Sequence, residues 1–242
     1  MAYRFRRLFA STFGRPGARR LLRWCWRLLL ALALMDAGYL VGIWPQWDLY
    51  ASGPVQRSNF IRAYEFERGR HADWPALRWN PVAIEAIPQD MIWAVVVAED
   101  ARFFEHDGVD IEALRDAMEY NLSRKKMIYG ASTISQQTVK NVFLNSSRDP
   151  LRKWHELLLT IGMERNLSKK RILEHYLNLA EFGRGVYGVD AAARYYWGIP
   201  VSRINRRQAI ELAATLPSPV KNNPRTDTRA FRRRVKKIRR YF

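Results

Sequence analysis

The sequence contains few residues of the kinds that build disulfide or metal frameworks. Its single cysteine, Cys25, excludes an internal disulfide and any cysteine-based zinc site. Its four histidines, His71, His106, His155 and His175, do not have the spacing of a metal site. The sequence therefore requires no cofactor and gives no set of metal-ligating residues.

Acidic residues are absent from both ends of the chain. Sixteen of the 41 basic residues lie in 1–27 and 229–242, and these two segments contain no Asp or Glu. The net charge of +18 thus comes from the ends, since the remaining basic residues are nearly balanced by the 23 acidic ones. A nucleic-acid-binding domain needs its basic face on the fold, whereas basic ends favour an anionic membrane surface. We predict no nucleic-acid partner; a membrane-tethered binder of anionic surfaces or nucleic acid is the alternative.

Only one long apolar run occurs, over 28–44. With its flanking residues it reaches about 20 residues, enough to cross a hydrocarbon core of ~30 Å. Asp36 opposes insertion, because a central Asp costs roughly 2.5–3.5 kcal/mol. We predict one transmembrane helix over 28–44 that follows a cytoplasmic basic segment, 1–27. A cleaved signal peptide is the alternative, and in both cases the arginines stay in the cytoplasm and the remainder is exported.

Helical periodicity dominates the rest of the chain. Residues 45–80 lack a clear period and are interpreted as a tether that leads into a domain over 81–228, followed by a basic amphipathic tail, 229–242. No alternating strand pattern competes, so the predicted fold class is mostly α. Helix starts are predicted at Pro88, Asp110, Ser132, Pro150 and Ser168, and shorter helices around Val189–Trp197 and Arg207–Leu216. Gly183 is predicted to stop the helix that Ser168 begins.

The segment AVVVAEDARFFEHDGVD (94–110) places two carboxylates directly after an apolar run. Burial disfavours the charged form of a carboxyl group and raises its pKa, which suits a general acid or base. Glu99 is therefore a candidate catalytic residue, and Asp100 and Arg102 are candidate substrate-binding residues. The alternative is an acidic pair at a helix end that Arg102 neutralises.

The segment GASTISQQTVKN (130–141) combines small residues with hydroxyl groups at a predicted helix N-terminus. Free backbone N–H groups at such a terminus can bind phosphate. The side chains that could bind sugar or phosphate here are Ser132, Thr133, Gln136, Gln137 and Lys140. The alternative is an ordinary capped polar helix.

A third group of charged residues, Arg152, Lys153 and Glu156, lies within one helical turn. Spacings of three and four residues bring their charges together, so a surface ion pair is the default interpretation.

In order, these segments resemble the blocks of the family 51 glycosyltransferases, the peptidoglycan glycosyltransferase module of class A penicillin-binding proteins. The departures are Ala131, where the family usually has a second glycine, and Ser135, where threonine is common. The matching blocks are EDARFFEHDGVD (99–110), GASTISQQTVKN (130–141), RKWHE (152–156), KKRILEHYLNLAEFGRGVYGVDAAARYY (169–196) and ELAATLPSPVKNNP (211–224).

The resemblance implies a lysozyme-like helical lobe and a smaller membrane-associated lobe. It implies Glu99 as general base, Glu156 as a second cleft carboxylate, and lipid II and undecaprenyl-pyrophosphate-linked glycan as substrates. Membrane lipids and cell-wall synthesis proteins are the expected further partners. A pyrophosphate leaving group needs positive charge, for which the candidates are Lys140, Arg148, Arg152, Lys153 and a divalent metal (Mg or Mn). A lytic transglycosylase of lysozyme-like fold is the enzymatic alternative.

The C-terminal segment FRRRVKKIRRYF (231–242) places its apolar residues along one side of a helix. The stripe consists of Phe231, Val235, Ile238, Tyr241 and Phe242, and the other positions are Arg or Lys. Such a helix is typical of the membrane interface, where the stripe would enter the headgroup region. A disordered basic tail is the alternative.

Overall fold

The computed structural model describes residues 16–124, 132–147 and 149–242. The chain forms two compact units, one that ends at Pro45 and one over Gln46–Phe242. Each unit is described by itself.

The N-terminal unit contains one long helix, α1, over Pro16–Ile43. Its part Gly17–Ile43 is long and apolar enough to cross a membrane, and none of its most apolar stretch is buried. The helix begins earlier than the predicted span of 28–44, because residues 18–27 contain no Gly or Pro and continue the same helical path. Most of the predicted basic segment, residues 1–15, lies outside the described residues.

The second unit is built mainly of helices, which confirms the mostly α prediction. They run in the order α2 Trp47–Ala51, α3 Asn59–Arg68, α4 Gln89–Glu99, α5 Ile111–Arg124, α6 Ile134–Phe143, α7 Pro150–Asn166, α8 Lys169–Leu179, α9 Val189–Trp197, α10 Arg206–Thr215 and α11 Arg229–Arg239. Short 3₁₀ turns occupy Ile84–Ala86 and Val201–Arg203.

Most helix starts follow the predicted capping signals. The Asp110 carboxylate accepts a hydrogen bond from Ala113 N at 2.8 Å, and Ser168 Oγ accepts from Arg171 N at 3.3 Å. Pro150 is the first residue of α7, with Asp149 as N-cap. The cap of α6 is Thr133 rather than the predicted Ser132, because the Thr133 side chain forms a reciprocal capping box.

A small three-stranded sheet was not predicted. Strand β1 (Arg78–Trp79) pairs in parallel with β3 (Val186–Tyr187), which pairs antiparallel with β2 (Glu181–Gly183). Strands of two or three residues are too short to show alternation. Gly183 accordingly ends β2 rather than α8, which ends at Leu179.

Residues 46–80 form part of the folded unit and differ from the predicted tether. Ile61 and Tyr64 of α3 are buried in one apolar cluster with Val142, Leu179 and Tyr187. The elements that carry these residues are short, so no period was visible in the sequence, and tertiary packing supplies their stability.

Helix α5 has no buried residue, although its apolar residues form the predicted stripe. Ile111 is 67% exposed and Leu122 is 74% exposed. Leu114 and Met118 lie on the same exposed face. The face of α5 therefore remains open to solvent or lipid.

The C-terminal segment is helical, which agrees with the helix alternative and not with a disordered tail. Two residues of its apolar stripe are nevertheless buried in the domain. Phe231 is 4% exposed and Ile238 is 3% exposed, and α11 packs on α10 and α4. This corrects the prediction that the stripe enters a membrane, because the apolar faces of the neighbouring helices already cover these side chains.

Candidate active site

Glu99 is the last residue of α4, a helix whose side chains are largely buried. Its own side chain is 11% exposed. Oε1 accepts a hydrogen bond from Nη2 of Arg234 at 2.5 Å, and Oε2 accepts from Nε2 of Gln137 at 3.0 Å. The prediction that a carboxylate ends a buried helix is confirmed.

Burial raises the pKa of the Glu99 carboxyl above its ordinary value. The positive charge of Arg234 and the hydrogen bond from Gln137 oppose this rise, because both stabilise the carboxylate form. Among the described residues, each oxygen has one donor and keeps one lone pair for another. The site therefore holds a carboxylate with increased basicity that can still accept a proton.

The orientation of the Gln137 amide is fixed from its other side. The Tyr176 hydroxyl donates to Gln137 Oε1 at 3.1 Å, so the N–H₂ end of the amide faces Glu99. Tyr176 lies on α8 and is 2% exposed, so this hydroxyl has little freedom to find other partners.

We expect Tyr176→Phe to lower kcat about fivefold, because losing one neutral hydrogen bond costs about 1 kcal/mol. The amide of Gln137 could then turn its oxygen toward Glu99, which would raise the pKa of Glu99 and shift the acid limb of the rate profile to higher pH. The measurement is kcat against pH. Tyr187→Phe is the matched control, since Tyr187 is also buried, at 4% exposed, and has no hydrogen bond to Glu99 among the described residues. A change in stability without a change in the pH profile would assign Tyr176 a purely structural role.

Arg234 is the functional candidate that sequence reasoning missed. Its Nη2 also donates to the carbonyl of Ala98 at 3.1 Å, at the end of α4. A signal was present in the sequence, because Arg234 lies three residues after Phe231 and four before Ile238. This spacing places it on the same helix face as the two buried side chains.

The Asp100 carboxylate is buried, and its hydrogen bonds connect parts of the fold. Its carboxylate accepts from Ile134 N at 2.9 Å and from Nε2 of His106 at 3.0 Å. The Nδ1 atom of His106 accepts the N–H of Gly108 at 3.1 Å, so Nε2 carries the ring proton. Asp100 thus ties the loop after α4 to the start of α6.

Three backbone N–H groups at the start of α6 are already hydrogen-bonded. Gln136 N donates to Thr133 Oγ1 at 3.2 Å, and Thr133 N donates to Gln136 Oε1 at 3.2 Å. Ile134 N donates to the Asp100 carboxylate. These three N–H groups are therefore not free for a phosphate, and phosphate binding at this helix start stays a prediction. Thr133 and Gln136 are buried and position α6, whereas Ser132 is exposed.

The third predicted group forms a charge cluster around a buried carboxylate instead of a surface ion pair. Glu156 is 2% exposed. Its Oε2 accepts from Nη1 of Arg152 at 2.6 Å, and its Oε1 accepts from Nζ of Lys153. Lys153 Nζ also lies 3.5 Å from the Ser132 hydroxyl oxygen, which brings the second and third sequence blocks together. Glu156 therefore acts as a counter-ion that positions two cations.

Lys140 lies near this cluster and differs from Arg152 and Lys153 in its hydrogen bonding. Burial lowers the pKa of its ammonium, while the charge of Glu156 raises it and those of Arg152 and Lys153 lower it further. Among the described residues, its Nζ makes no hydrogen bond or ion pair; it lies 5.8 Å from the centre of the Phe60 ring. Lys140 thus has all three of its N–H donors available for a ligand. Arg148, the remaining predicted cation, lies outside the described residues.

Arg102 is engaged by a structural partner. It donates to both oxygens of Asp110, with Nε 3.0 Å from Oδ2.

A cavity of about 470 Å³ lies between the end of α4, α5 and the start of α6. Its lining includes Glu99, Asp100, Arg102, Asp110, Asp116, Tyr120, Ser132 and Thr133.

One group of described residues brings together side chains that can ligate a metal. Asp100, His106 and Asp110 bring ligand atoms within 4.8 Å of one another, a grouping that the sequence spacing did not indicate. However, Asp100 already accepts two N–H donors, and Asp110 accepts from Arg102 and Ala113. These carboxylates hold the segment after α4 in place, and the divalent metal predicted beside the pyrophosphate stays a prediction.

Comparisons with known proteins agree with the order of the sequence blocks. A family model described as Transglycosylase matches residues 71–241, a range that includes α11. A biosynthetic peptidoglycan transglycosylase of Nitrosospira multiformis is 40% identical over 200 residues, which cover 81% of this chain and 86% of that protein. The protein of the same name from Salmonella arizonae is 46% identical over 218 residues, 89% of this chain and 84% of that protein.

A third relative extends the likeness toward the N-terminus. The biosynthetic peptidoglycan transglycosylase of Laribacter hongkongensis is 36% identical over 225 residues, 91% of this chain and 96% of that protein. Both the family match and these identities cover the residues that surround Glu99 and the charge cluster. The chain belongs to the transglycosylase family.

Proposed function

We propose that this protein is a peptidoglycan glycosyltransferase that polymerises lipid II into β-1,4-linked glycan strands and releases undecaprenyl diphosphate. The observation that carries the proposal is the buried carboxylate of Glu99, whose burial raises its pKa, on a chain that also provides the cations Lys140, Arg152 and Lys153 around the buried Glu156. The relatives bear the name biosynthetic peptidoglycan transglycosylase, which supports cell-wall synthesis as the process.

Glu99 is the general base in this proposal. It takes the proton of the acceptor 4-hydroxyl while that oxygen forms a bond to the anomeric carbon of the donor. The bond from that carbon to the pyrophosphate oxygen breaks, and the pyrophosphate leaves with the electron pair from the opposite face. An α-linked donor therefore gives a β-linked product with inversion.

The leaving group accounts for the cationic cluster. A sugar that leaves from another sugar needs a protonated carboxylic acid, but pyrophosphate leaves as a stable anion and needs positive charge. Lys140 supplies an ammonium with no protein partner among the described residues. Arg152 and Lys153 add charges that Glu156 holds in place.

We expect Lys140→Ala to lower kcat by about 10²-fold, since removing one preorganised electrostatic donor costs about 2.7–4 kcal/mol. Lys153→Ala should cost less, because its ammonium is shared with Glu156 and its side chain is 47% exposed. The measurement is the rate of lipid II consumption together with binding of undecaprenyl pyrophosphate. Lys170→Ala is the matched control, because its ammonium pairs with Glu85 on the surface. Full activity of both test variants would show that the cluster does not contact the leaving group.

The proposed location is the bacterial inner membrane, with the arginine-rich N-terminus in the cytoplasm and the catalytic unit in the periplasm. The support is the apolar length of α1 and the arginines that precede its apolar part. The exposed apolar face of α5 beside the cavity supports a membrane-associated lobe that meets lipid-borne substrate.

The direct test is incubation of the purified full chain with labelled lipid II, followed by sizing of the products. A glycosyltransferase forms long polymers and releases undecaprenyl diphosphate. A lytic transglycosylase would form no polymer and would instead shorten finished glycan strands, and a binding protein would leave both substrates unchanged. Either of the last two results would overturn the proposal.

A further inference from the structure

The outward face of α11 carries a continuous row of cations. Arg229, Arg233, Lys236 and Arg240 are spaced by four, three and four residues, so they align along one side of the helix. All four are exposed, and within the described part of the chain none of them forms an ion pair. We call these four residues the basic row.

The basic row lies opposite the face by which α11 is attached to the domain. The attached face consists of Phe231, Arg234 and Ile238, which pack inward or contact Glu99. At 100° per residue, these positions are on the other side of the helix from the basic row. Folding therefore uses the apolar stripe and leaves the cations fully available to an external anion.

Aromatic side chains lie near the C-terminal end of α11. Trp93 is 46% exposed and Tyr241 is 58% exposed. The indole N–H of Trp93 is 3.4 Å from the carbonyl of Tyr241. The guanidinium of Arg206 lies 5.4 Å from the centre of the Phe242 ring. Exposed Trp and Tyr beside Arg and Lys are typical of residues at the headgroup level of a membrane.

We propose that the basic row forms a docking surface for anionic phospholipid headgroups, with Trp93 and Tyr241 near its C-terminal end. Charge complementarity supports this occupant, because four unpaired cations match a layer of lipid phosphates. The neighbouring aromatic residues favour a membrane surface over nucleic acid, since they can enter the headgroup region while the helix stays folded. The surface is separate from the reaction of Glu99 and does not depend on it.

The test uses the full chain in lipid nanodiscs with a fluorescent probe on α11. In a Cys25→Ser background, Ala230→Cys provides one labelling site, because Ala230 is exposed and lies three residues before Arg233. The probe is nitrobenzoxadiazole, whose emission increases and shifts to the blue when it enters a headgroup layer. Discs of phosphatidylcholine are compared with discs of equimolar phosphatidylcholine and phosphatidylglycerol.

We expect at least twofold brighter emission in the anionic discs, with the difference lost at high salt because the attraction is screened. The combined substitutions Arg233→Gln, Lys236→Gln and Arg240→Gln should remove most of the difference. The charge-matched control is Arg62→Gln, Arg68→Gln and Arg70→Gln, three exposed positions in α3 and just after it, and it should keep the difference.

Two results would overturn the proposal. One is equal emission in the two kinds of disc, or a loss that is as large in the control as in the test variant. The other is a probe response to short duplex DNA but not to lipid composition, which would assign the row to nucleic acid. Helix content and thermal unfolding verify that the test variant is folded. If it is not folded, the single substitution Lys236→Glu replaces it and should lower the probe emission in the anionic discs. None of these readouts requires glycosyltransferase activity.

Discussion

We expect Glu99→Gln to abolish polymerisation while the fold and the binding of lipid II remain. The amide cannot take the proton of the acceptor hydroxyl, and general base catalysis contributes about 10²–10⁴-fold to a rate. Oε1 of the new side chain can still accept from Arg234, so the end of α4 keeps its contact with α11. The measurements are polymer formation from labelled lipid II and retention of lipid II in a binding assay.

The control for Glu99→Gln is Glu105→Gln, which neutralises an exposed carboxylate six residues farther along the chain. It should retain the rate of the parent protein. If Glu99→Gln kept a rate within a few-fold of the parent, the general base would have to be another group, and the mechanism proposed for this site would be wrong.

Arg234→Ala is expected to give a large loss of activity, with a characteristic dependence on pH. The guanidinium stabilises the carboxylate form of Glu99 and so lowers a pKa that burial raises. Without it the pKa of Glu99 rises further, and a larger fraction of the base is protonated and inactive at neutral pH. Since a hydrogen bond to a charged group is worth about 1.5–3 kcal/mol, the loss at neutral pH should be about 10–100-fold.

The sign of the pH effect is fixed by the role of Glu99 as a base. Activity requires the deprotonated carboxylate, so the acid limb of the profile moves to higher pH in Arg234→Ala, and part of the rate returns as the pH is raised. The measurement is kcat against pH in detergent for Arg234→Ala, Arg234→Lys and the exposed neighbour Arg233→Ala. Arg234→Lys should be intermediate, and Arg233→Ala should match the parent. An unshifted acid limb in Arg234→Ala would show that Arg234 does not control the protonation of Glu99.

The remaining predicted site residues have positions that divide them into two groups. Glu99, Gln137, Lys140 and Ser132 present polar atoms to the cavity or have donors available for a ligand. Asp100, Arg102, Thr133 and Gln136 hold the loop after α4, the N-terminus of α5 and the N-terminus of α6. The second group resembles substrate-binding residues in sequence because both roles use hydroxyl, amide and charged groups near a helix start.

Local patterns in the sequence determined the helical class, most helix starts, the single apolar helix and the carboxylate at the end of α4. These features depend on residues within one or two turns of each other, so periodicity, caps and proline positions are sufficient to predict them. The concentration of positive charge at the two ends of the chain is likewise a property of the sequence alone.

Only the tertiary structure decided which partner each polar group has. Arg234 meets Glu99 across 135 residues, and Tyr176 meets Gln137 across 39. It also decided that Glu156 is a buried counter-ion, and that the apolar stripe of α11 is covered while that of α5 is exposed. The physical reason is that an apolar stripe or a charged residue specifies what a helix can bury or bind. Which residues it contacts is determined by the packing of elements that are distant in the sequence.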